Sequence, residues 1–370
     1  MEFIIKFAQT HETFRLAEIE ALAVIEDVDL TVIEYSDQRL AIINSFDYLP
    51  FDGPIRMKDP DHIFTVFEIW PFDSVPLGIE NPDMVYLGRF VAASSRDVIL
   101  RFDLKKRGYI STTSMDSELS LVTANIALAA PGKLFYDPFV GTGSFPIACA
   151  HFGAIGWGSD IDGRSIRGTG GHKSLRGNFE QYGLQSCLGD VFSADLINSP
   201  IKRGRRIWDG IVCDPPLWGA RRPEGSWPQG PGKRPPWLIE KGKKDGSLPD
   251  FVPPKKPYSF FAMLNDILIF ASETLVDNGR VSFWMPTAND EELEIPVPTH
   301  PCLEIVAVCV QVFNKWSRRL ITYRRIPDSQ VTPSALESYH ATGKADSIGT
   351  TADELNPFRR GYFRKFEASE

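Results

Sequence analysis

The sequence predicts an α/β fold: a Rossmann-like, mainly parallel sheet with an antiparallel hairpin at its end, preceded by a small α+β module. Three observations carry the prediction. From residue 117 onward, strand-length apolar runs alternate with helix-length segments, the pattern of βαβ units. The first of those strands runs straight into a Gly-x-Gly turn and a helix, as at the ligand-binding edge of doubly wound sheets. The last two apolar runs, CLEIVAVCVQVF and RRLITYRRI, are separated only by residues 314–317. That is too short for a parallel crossover, so they should pair as a hairpin.

Taken in order, Phe3 to Phe7 reads as a short strand. Glu12 to Ile25 reads as a helix with Phe14, Leu16, Ile19, Leu22 and Ile25 at roughly helical spacing, and Leu30 to Tyr35 as a second strand. Asp59 to Phe67 looks like a further strand. Pro, Gly and Asp cluster at 76–82, so residues 1–82 form the first module. Residues 83–327 form the second domain. It holds a helix over Ser117 to Ala129, strands at KLFYDP, AIGWGSD, LQSCLGD, RIWDGIVCDPP and GRVSFWMP, a Gly-interrupted helix between the second and third, and a long amphipathic helix from Tyr258 to Val276. Residues 328–370 turn polar and read as a solvated, flexible tail.

Composition narrows the classes. With 43% hydrophobic and 24% charged residues the chain can bury a sizeable core. A formal charge of −8 excludes a general polyanion binder, so any nucleic-acid contact must use a local basic surface. One such stretch exists. Residues 200–260 hold 13 Lys and Arg against 6 Asp and Glu, and Arg221 to Lys256 is also rich in Pro and Gly. It reads as a loop beside the fourth strand, able to grip phosphates. The five cysteines have no CxxC spacing and several lie in apolar runs, so neither a disulfide framework nor a metal site is expected. No secretory leader pattern and no membrane-length apolar run is seen, which makes the cytoplasm the expected compartment.

Two motifs carry the chemistry. Asp137-Pro138-Phe139-Val140-Gly141-Thr142-Gly143-Ser144 follows an apolar strand and opens a helix. Gly141 and Gly143 allow a tight turn and close approach of a ligand, while the helix start offers free N–H groups. The loop lacks the Lys of a P-loop and the third Gly of a dinucleotide site, where Pro146 stands. It suits a ligand with an amino-acid end and a ribose. Asp160 closes the second strand, where a carboxylate can accept from ribose hydroxyls. Asp162 serves either there or as the N-cap of the next helix. Asp190 and Val191 close the third strand, where a carboxylate can accept from an adenine amine. The second motif, Asp214-Pro215-Pro216-Leu217-Trp218, closes the fourth strand. An exocyclic amine is a poor nucleophile because its lone pair is delocalised into the ring. The Asp214 carboxylate and the Pro215 carbonyl can accept its two hydrogens and turn the lone pair towards a sulfonium methyl. Pro216 fixes the chain there, and Trp218 offers a ring for stacking.

The two motifs together resemble those of class I amino-methyltransferases. The wider order of FRLAEIEAL, FDGPIRMKDPDHIF, ENPDMVYLGR, KKRGYISTTSMDSELSLVTAN, YDPFVGTGSFPIACAHFGAIGWGSDID and NFEQYGL resembles the catalytic subunit of the tRNA (guanine-10-N2)-methyltransferase family. The resemblance covers most of residues 1–330. It implies S-adenosyl-L-methionine as cofactor, guanine N2 methylation in tRNA, a THUMP-like RNA-binding first module, and a small zinc-binding activator subunit as partner. It also implies that Thr113, Ser114 and Met115 help close the cofactor pocket. The chain departs from the pattern twice. Leu217 separates the second proline from the aromatic residue, and the middle of the THUMP-like module is missing between Val32 and QRLAIINSFDYLPFDG. A deletion or splice variant would explain the second departure. Methylation of a DNA adenine or a protein glutamine uses the same Asp-Pro-Pro signature, and a non-catalytic cofactor- or partner-binding variant fits the two departures.

Overall fold

The structure, a computed structural model, describes residues 2–8, 10–35, 40–43, 58–71, 73, 76–216, 260–288, 296–313 and 316–341. These form two compact units that interleave in sequence: Met1–Gln9 with Asp29–Leu100, and Thr10–Val28 with Arg101–Glu370.

The smaller unit holds an antiparallel sheet of β1 (Leu40–Ile43), β2 (Phe64–Ile69) and β3 (Met84–Arg89), in that order. β2 is central, its Phe67 opposite Ile42 of β1 and Tyr86 of β3. Phe3 to Phe7 and Leu30 to Tyr35, expected as strands, carry no strand assignment, although the rings of Phe7 and Tyr35 lie 6.4 Å apart. β-Branched and aromatic residues favour a strand only where a neighbouring ladder accepts it. The helix expected in this module belongs instead to the larger unit. There α1 (Arg15–Ile25) packs along α3 (Ser117–Ile126), and Glu18 accepts a hydrogen bond from Asn125 Nδ2 at 2.8 Å.

A short α2 (Asp97–Phe102) crosses the sequence boundary between the units and leads to α3, whose N-cap Asp116 accepts the Leu119 N–H. β4 (Leu134–Asp137), α4 (Ser144–His151) and β5 (Ile155–Asp160) follow. Then come α5 (Gly163–Arg167), α6 (Leu175–Tyr182), β6 (Leu188–Ser193), β7 (Trp208–Cys213), α7 (Phe260–Thr274), β8 (Leu275–Ala288), β9 (Leu303–Val312) and β10 (Trp316–Arg325). The strand order is β6-β5-β4-β7-β8-β10-β9. Pairing is parallel from β6 to β8, and β10 runs antiparallel to both β8 and β9. This is the class I methyltransferase sheet, with the terminal hairpin inserted back beside β8.

Both faces are covered. On one, α7 lays Met263, Leu264, Ile267 and Phe270 over Tyr136, Trp208, Ile211, Phe283 and Tyr323. Each fully buried side chain of this size contributes about 1.5–3 kcal/mol. On the other, Trp284 is fixed by Phe14, ring centroids 5.8 Å apart, and by its Nε1–H donating to Thr123 Oγ1 at 3.3 Å.

The first part of the segment expected as a tail, residues 328–341, is built into the fold. Asp328 accepts from the Arg206 and Arg325 guanidinium groups, and α8 (Pro333–Ala341) follows with Tyr339 bonded to Asn265. A buried arginine needs a paired carboxylate, and the polar run supplies it. Residues 342–370 lie outside the described residues.

Candidate active site

The Gly-x-Gly turn is held by the strand that precedes it and the strand beside it. The Phe139 N–H donates to the buried Asp137 carboxylate at 2.9 Å, and the Val140 N–H to the Ser159 carbonyl at 2.9 Å. Gly141 and Gly143 sit at φ +50° and +89°, in the left-handed region where glycine carries no Cβ penalty. Gly143 is the N-cap of α4 and brings no side chain to its first N–H groups. The seat is tight. A Cβ on Gly158 of β5 would lie 2.5 Å from Val140 Cγ2, so the turn can lie on β5 only because residue 158 is glycine.

Asp160, at the tip of β5, spends both carboxylate oxygens on backbone. One accepts the Gly141 N–H at 3.0 Å, the other the Asp162 N–H at 2.8 Å. Asp162 takes the capping option. It accepts the Arg164 N–H at 3.1 Å at the start of α5 and pairs with the Arg164 guanidinium. Asp190 does not end its strand. β6 continues to Ser193, which lies opposite Asp160, and the Asp190 carboxylate accepts from Arg176 at 2.6 Å and from the Val191 N–H at 2.8 Å.

The stretch before α3 is stitched onto the turn. Ser114 Oγ lies 2.8 Å from Thr142 Oγ1 and Met115 is buried, whereas Thr113 is exposed, its Oγ1 3.3 Å from Ser111 Oγ. Asn178 of α6, fully buried, is the rivet. Its Nδ2 donates to the Tyr109 and Thr142 carbonyls at 2.7 and 3.0 Å, and its Oδ1 accepts the Tyr109 N–H at 3.0 Å. Arg107 donates to Ser144 Oγ at 2.9 Å.

Asp214 leaves the sheet one strand away. The register of β4 on β7, Tyr136 opposite Ile211, brings Asp137 and Asp214 to the carboxyl ends of adjacent parallel strands. Each carboxyl is raised above the ordinary range. For Asp137 burial is the main cause, opposed by the Phe139 amide and reinforced by the charges of Asp160 and Asp214. Burial pushes Asp214 up to about 6, against the Arg318 guanidinium, which pulls it down. Among the described residues no hydrogen-bond donor sits on the Asp214 carboxylate. Pro215 is buried and Pro216 exposed. Trp218 and the basic segment Arg221 to Lys256 lie outside the described residues, as does Leu217.

Gly158, Asn178 and Arg318 were not singled out from sequence. The alternation of Gly156 and Gly158 in a strand signalled close backbone approach for the first. Asn178 lay within a quoted motif, and Arg318 had no local signal. Among the described residues no group of three His, Cys, Asp or Glu side chains is placed to hold a metal, and no helix is long and apolar enough to cross a membrane.

The Tmrp11 THUMP N-terminal domain family matches residues 1–41 and 36–96. The tRNA (guanine(10)-N(2))-methyltransferase of Saccharomyces cerevisiae is 45% identical over 294 residues, 77% of this chain and 66% of its own length. That of Schizosaccharomyces pombe is 44% identical over 78% of the chain and 58% of its length, and that of Homo sapiens 38% identical over 78% and 64%. The chain thus spans about three fifths to two thirds of these relatives. Among solved structures, TrmN from Thermus thermophilus matches with a TM-score of 0.38 and 18% identity, over 65% of this chain and 57% of that one. Over more than three quarters of its length the chain is thus similar to tRNA (guanine(10)-N(2))-methyltransferases.

Proposed function

We propose that this chain transfers a methyl group from S-adenosyl-L-methionine to the exocyclic N2 amine of a guanine in tRNA, position 10 by its relatives. The observation that carries the reading is the placement of Asp137 and Asp214 at the carboxyl ends of neighbouring parallel strands, close enough for the Asp214 charge to act on Asp137. The residues on the first side fit the cofactor. The Gly141–Gly143 turn has no Cβ in the way, the N-cap of α4 brings no side chain to its first N–H groups, and Asp160, at the tip of β5 beside that turn, is assigned the ribose. Asp190 and Val191 are assigned the adenine end, and Thr113, Ser114 and Met115 the cover. When bound, the cofactor supplies an electrophilic methyl on a sulfonium.

The chain's own work is on the amine. A guanine flipped into the crevice would donate its two N2 hydrogens to the Asp214 carboxylate and the Pro215 carbonyl. That leaves the lone pair aimed across at the methyl donor, so alignment supplies most of the rate. A carboxyl with a pKa of about 6 is ionised at neutral pH and is a better proton acceptor than an ordinary aspartate. Pro216 and Trp218 are assigned the shape of the turn and stacking on the base. The same reading includes a small zinc-binding activator subunit as partner and a cytoplasmic location.

A specific observation favours a second reading, binding without turnover. The THUMP family matches in two pieces that meet at residues 36–41, as a module lacking its middle would. Radiolabelled methyl transfer onto unmodified tRNA, with and without co-expressed activator, separates the two. The first reading predicts N2-methylguanine from the wild type and none from Asp214→Ala. Cofactor binding with no transfer in any arm would establish the second. Transfer to duplex DNA or a peptide glutamine instead would reassign the substrate.

A further inference from the structure

Arg318 of β10 occupies a place that the proposed chemistry has not used. β10 enters the sheet antiparallel beside β8, so its first residues stand at the same end as the carboxyl tips of β7 and β8, with Arg318 opposite Pro286. Cys213 pairs with Phe283, which sets Asp214 alongside Trp284. The Arg318 guanidinium carbon lies 4.7 Å from the centre of the Trp284 ring and 5.6 Å from that of Phe313, and its Nε donates to Gln311 Oε1 at 2.5 Å. Trp284 is itself immobilised by Phe14 and Thr123. Among the described residues the cation is therefore held by two rings and an amide. Of the described carboxylates, Asp214 and Asp116 act on its charge. Asp116 is already committed to the Leu119 N–H at the start of α3, and Asp214 is not committed among the described residues.

We infer that Arg318 is a positioning residue for Asp214: a cation clamped on Trp284 that keeps this carboxylate an anion, able to accept from a substrate amine. The inference rests on the amine-holding role proposed for Asp214. Its physical ground is that a half-buried carboxylate facing the buried Asp137 and the apolar Cys213 has every reason to take up a proton. A protonated Asp214 would offer an O–H where an acceptor is needed. Of the described groups around it, Asp137 from β4 and Cys213 from β7 supply no counter-charge, and Arg318 from β10 does. A guanidinium suits the place because its plane can lie on an indole while its charge stays fixed, which a lysine ammonium cannot reproduce.

The test compares wild type, Arg318→Met, Arg318→Lys and Asp214→Asn in the full chain with its activator. In protein labelled with 13C at aspartate Cγ, the Asp214 signal is identified by its loss in Asp214→Asn. Its titration midpoint should rise by about one pH unit in Arg318→Met, the low end of what an opposite charge confers. The acid limb of the kcat/KM profile for methyl transfer should move up by the same amount. Cofactor affinity should stay within about two-fold, as for sites that share no partner. Arg318→Lys should return the limb towards the wild-type position while kcat stays lowered. It also serves if the methionine variant does not fold. A rate lowered equally at every pH, with the carboxyl midpoint unmoved, would overturn the inference and leave Arg318 a packing residue. Failure of the parent reading looks different: the wild type would then transfer no methyl to tRNA, while the carboxyl titration would still decide the role of Arg318.

Discussion

The two halves of the crevice keep their carboxylates in different ways. On the β4–β5 side, Asp137 and Asp160 are held by backbone N–H groups one or two steps along the chain or across one turn: Phe139, Asp162 and Gly141. On the β7 side, Asp214 has no such amide among the described residues, and its only described counter-charge comes from Arg318, about a hundred positions away in sequence. The first arrangement is built by turn chemistry and is stiff before any ligand arrives. The second depends on sheet register and leaves its acceptor unspent. The proposed transfer, which binds one molecule and activates another, would gain from that division, because hydrogen bonds already made to protein cannot also steer a substrate amine.

The largest effect expected from this contrast is on turnover. Asp214→Ala should lower methyl transfer by about a thousand-fold or more, as for loss of a group acting at the reacting atoms. Cofactor affinity, by calorimetry, should stay within about two-fold. Loss of affinity instead would move Asp214 to the other half. Next comes stability. The Asp214 carboxyl titrates at about 6 in the folded protein against an ordinary 3.8, so the folded state binds the proton more tightly. The cost of ionising it in place is therefore absent below about pH 4 and fully present above about pH 6. Asp214→Asn should then be more stable than wild type by about 2–3 kcal/mol at pH 8, and the gain should vanish as pH falls to about 4. Denaturant titrations at the two pH values check this, and a pH-independent difference would contradict it.

On the stiff side, Gly158→Ala should cost about 1–3 kcal/mol through the clash with Val140 and weaken cofactor binding along with the melting temperature. Unchanged affinity would mean that the turn is not seated on β5 as described. The smallest effect is expected at the rim. Arg176 and Asp190 form an ion pair that is half exposed or more, so Arg176→Ala should change stability by less than about 1 kcal/mol, read from the denaturation midpoint.

The same contrast explains what could be read from sequence. The Gly-x-Gly turn, Asp160 and the strand–helix alternation are set by neighbours in the chain, and spacing alone located them. The terminal hairpin was legible because four residues cannot cross over a sheet. Arg318 was not, since its role arises from β10 being threaded between β8 and β9, which no local pattern encodes. Gly158 and Asn178 are intermediate cases, each meaningful only once a turn from another element lies against it. The segments Phe3 to Phe7 and Leu30 to Tyr35 have strand composition without a strand ladder. The helix Arg15–Ile25 lies within the THUMP-family match yet groups with the larger unit, because amphipathic spacing tells that a face is buried but not against what.

The most direct measurement is a crystal structure of the chain bound to the demethylated cofactor, S-adenosylhomocysteine. The amino-acid end should lie over Gly141–Gly143, the ribose at Asp160, and the sulfur should face Asp214 across a gap that admits one planar amine, with reacting atoms about 3–3.5 Å apart once the methyl is in place. A ligand whose sulfur is walled off from Asp214, or that lies in a cavity not shared by the tips of β4 and β7, would contradict this arrangement.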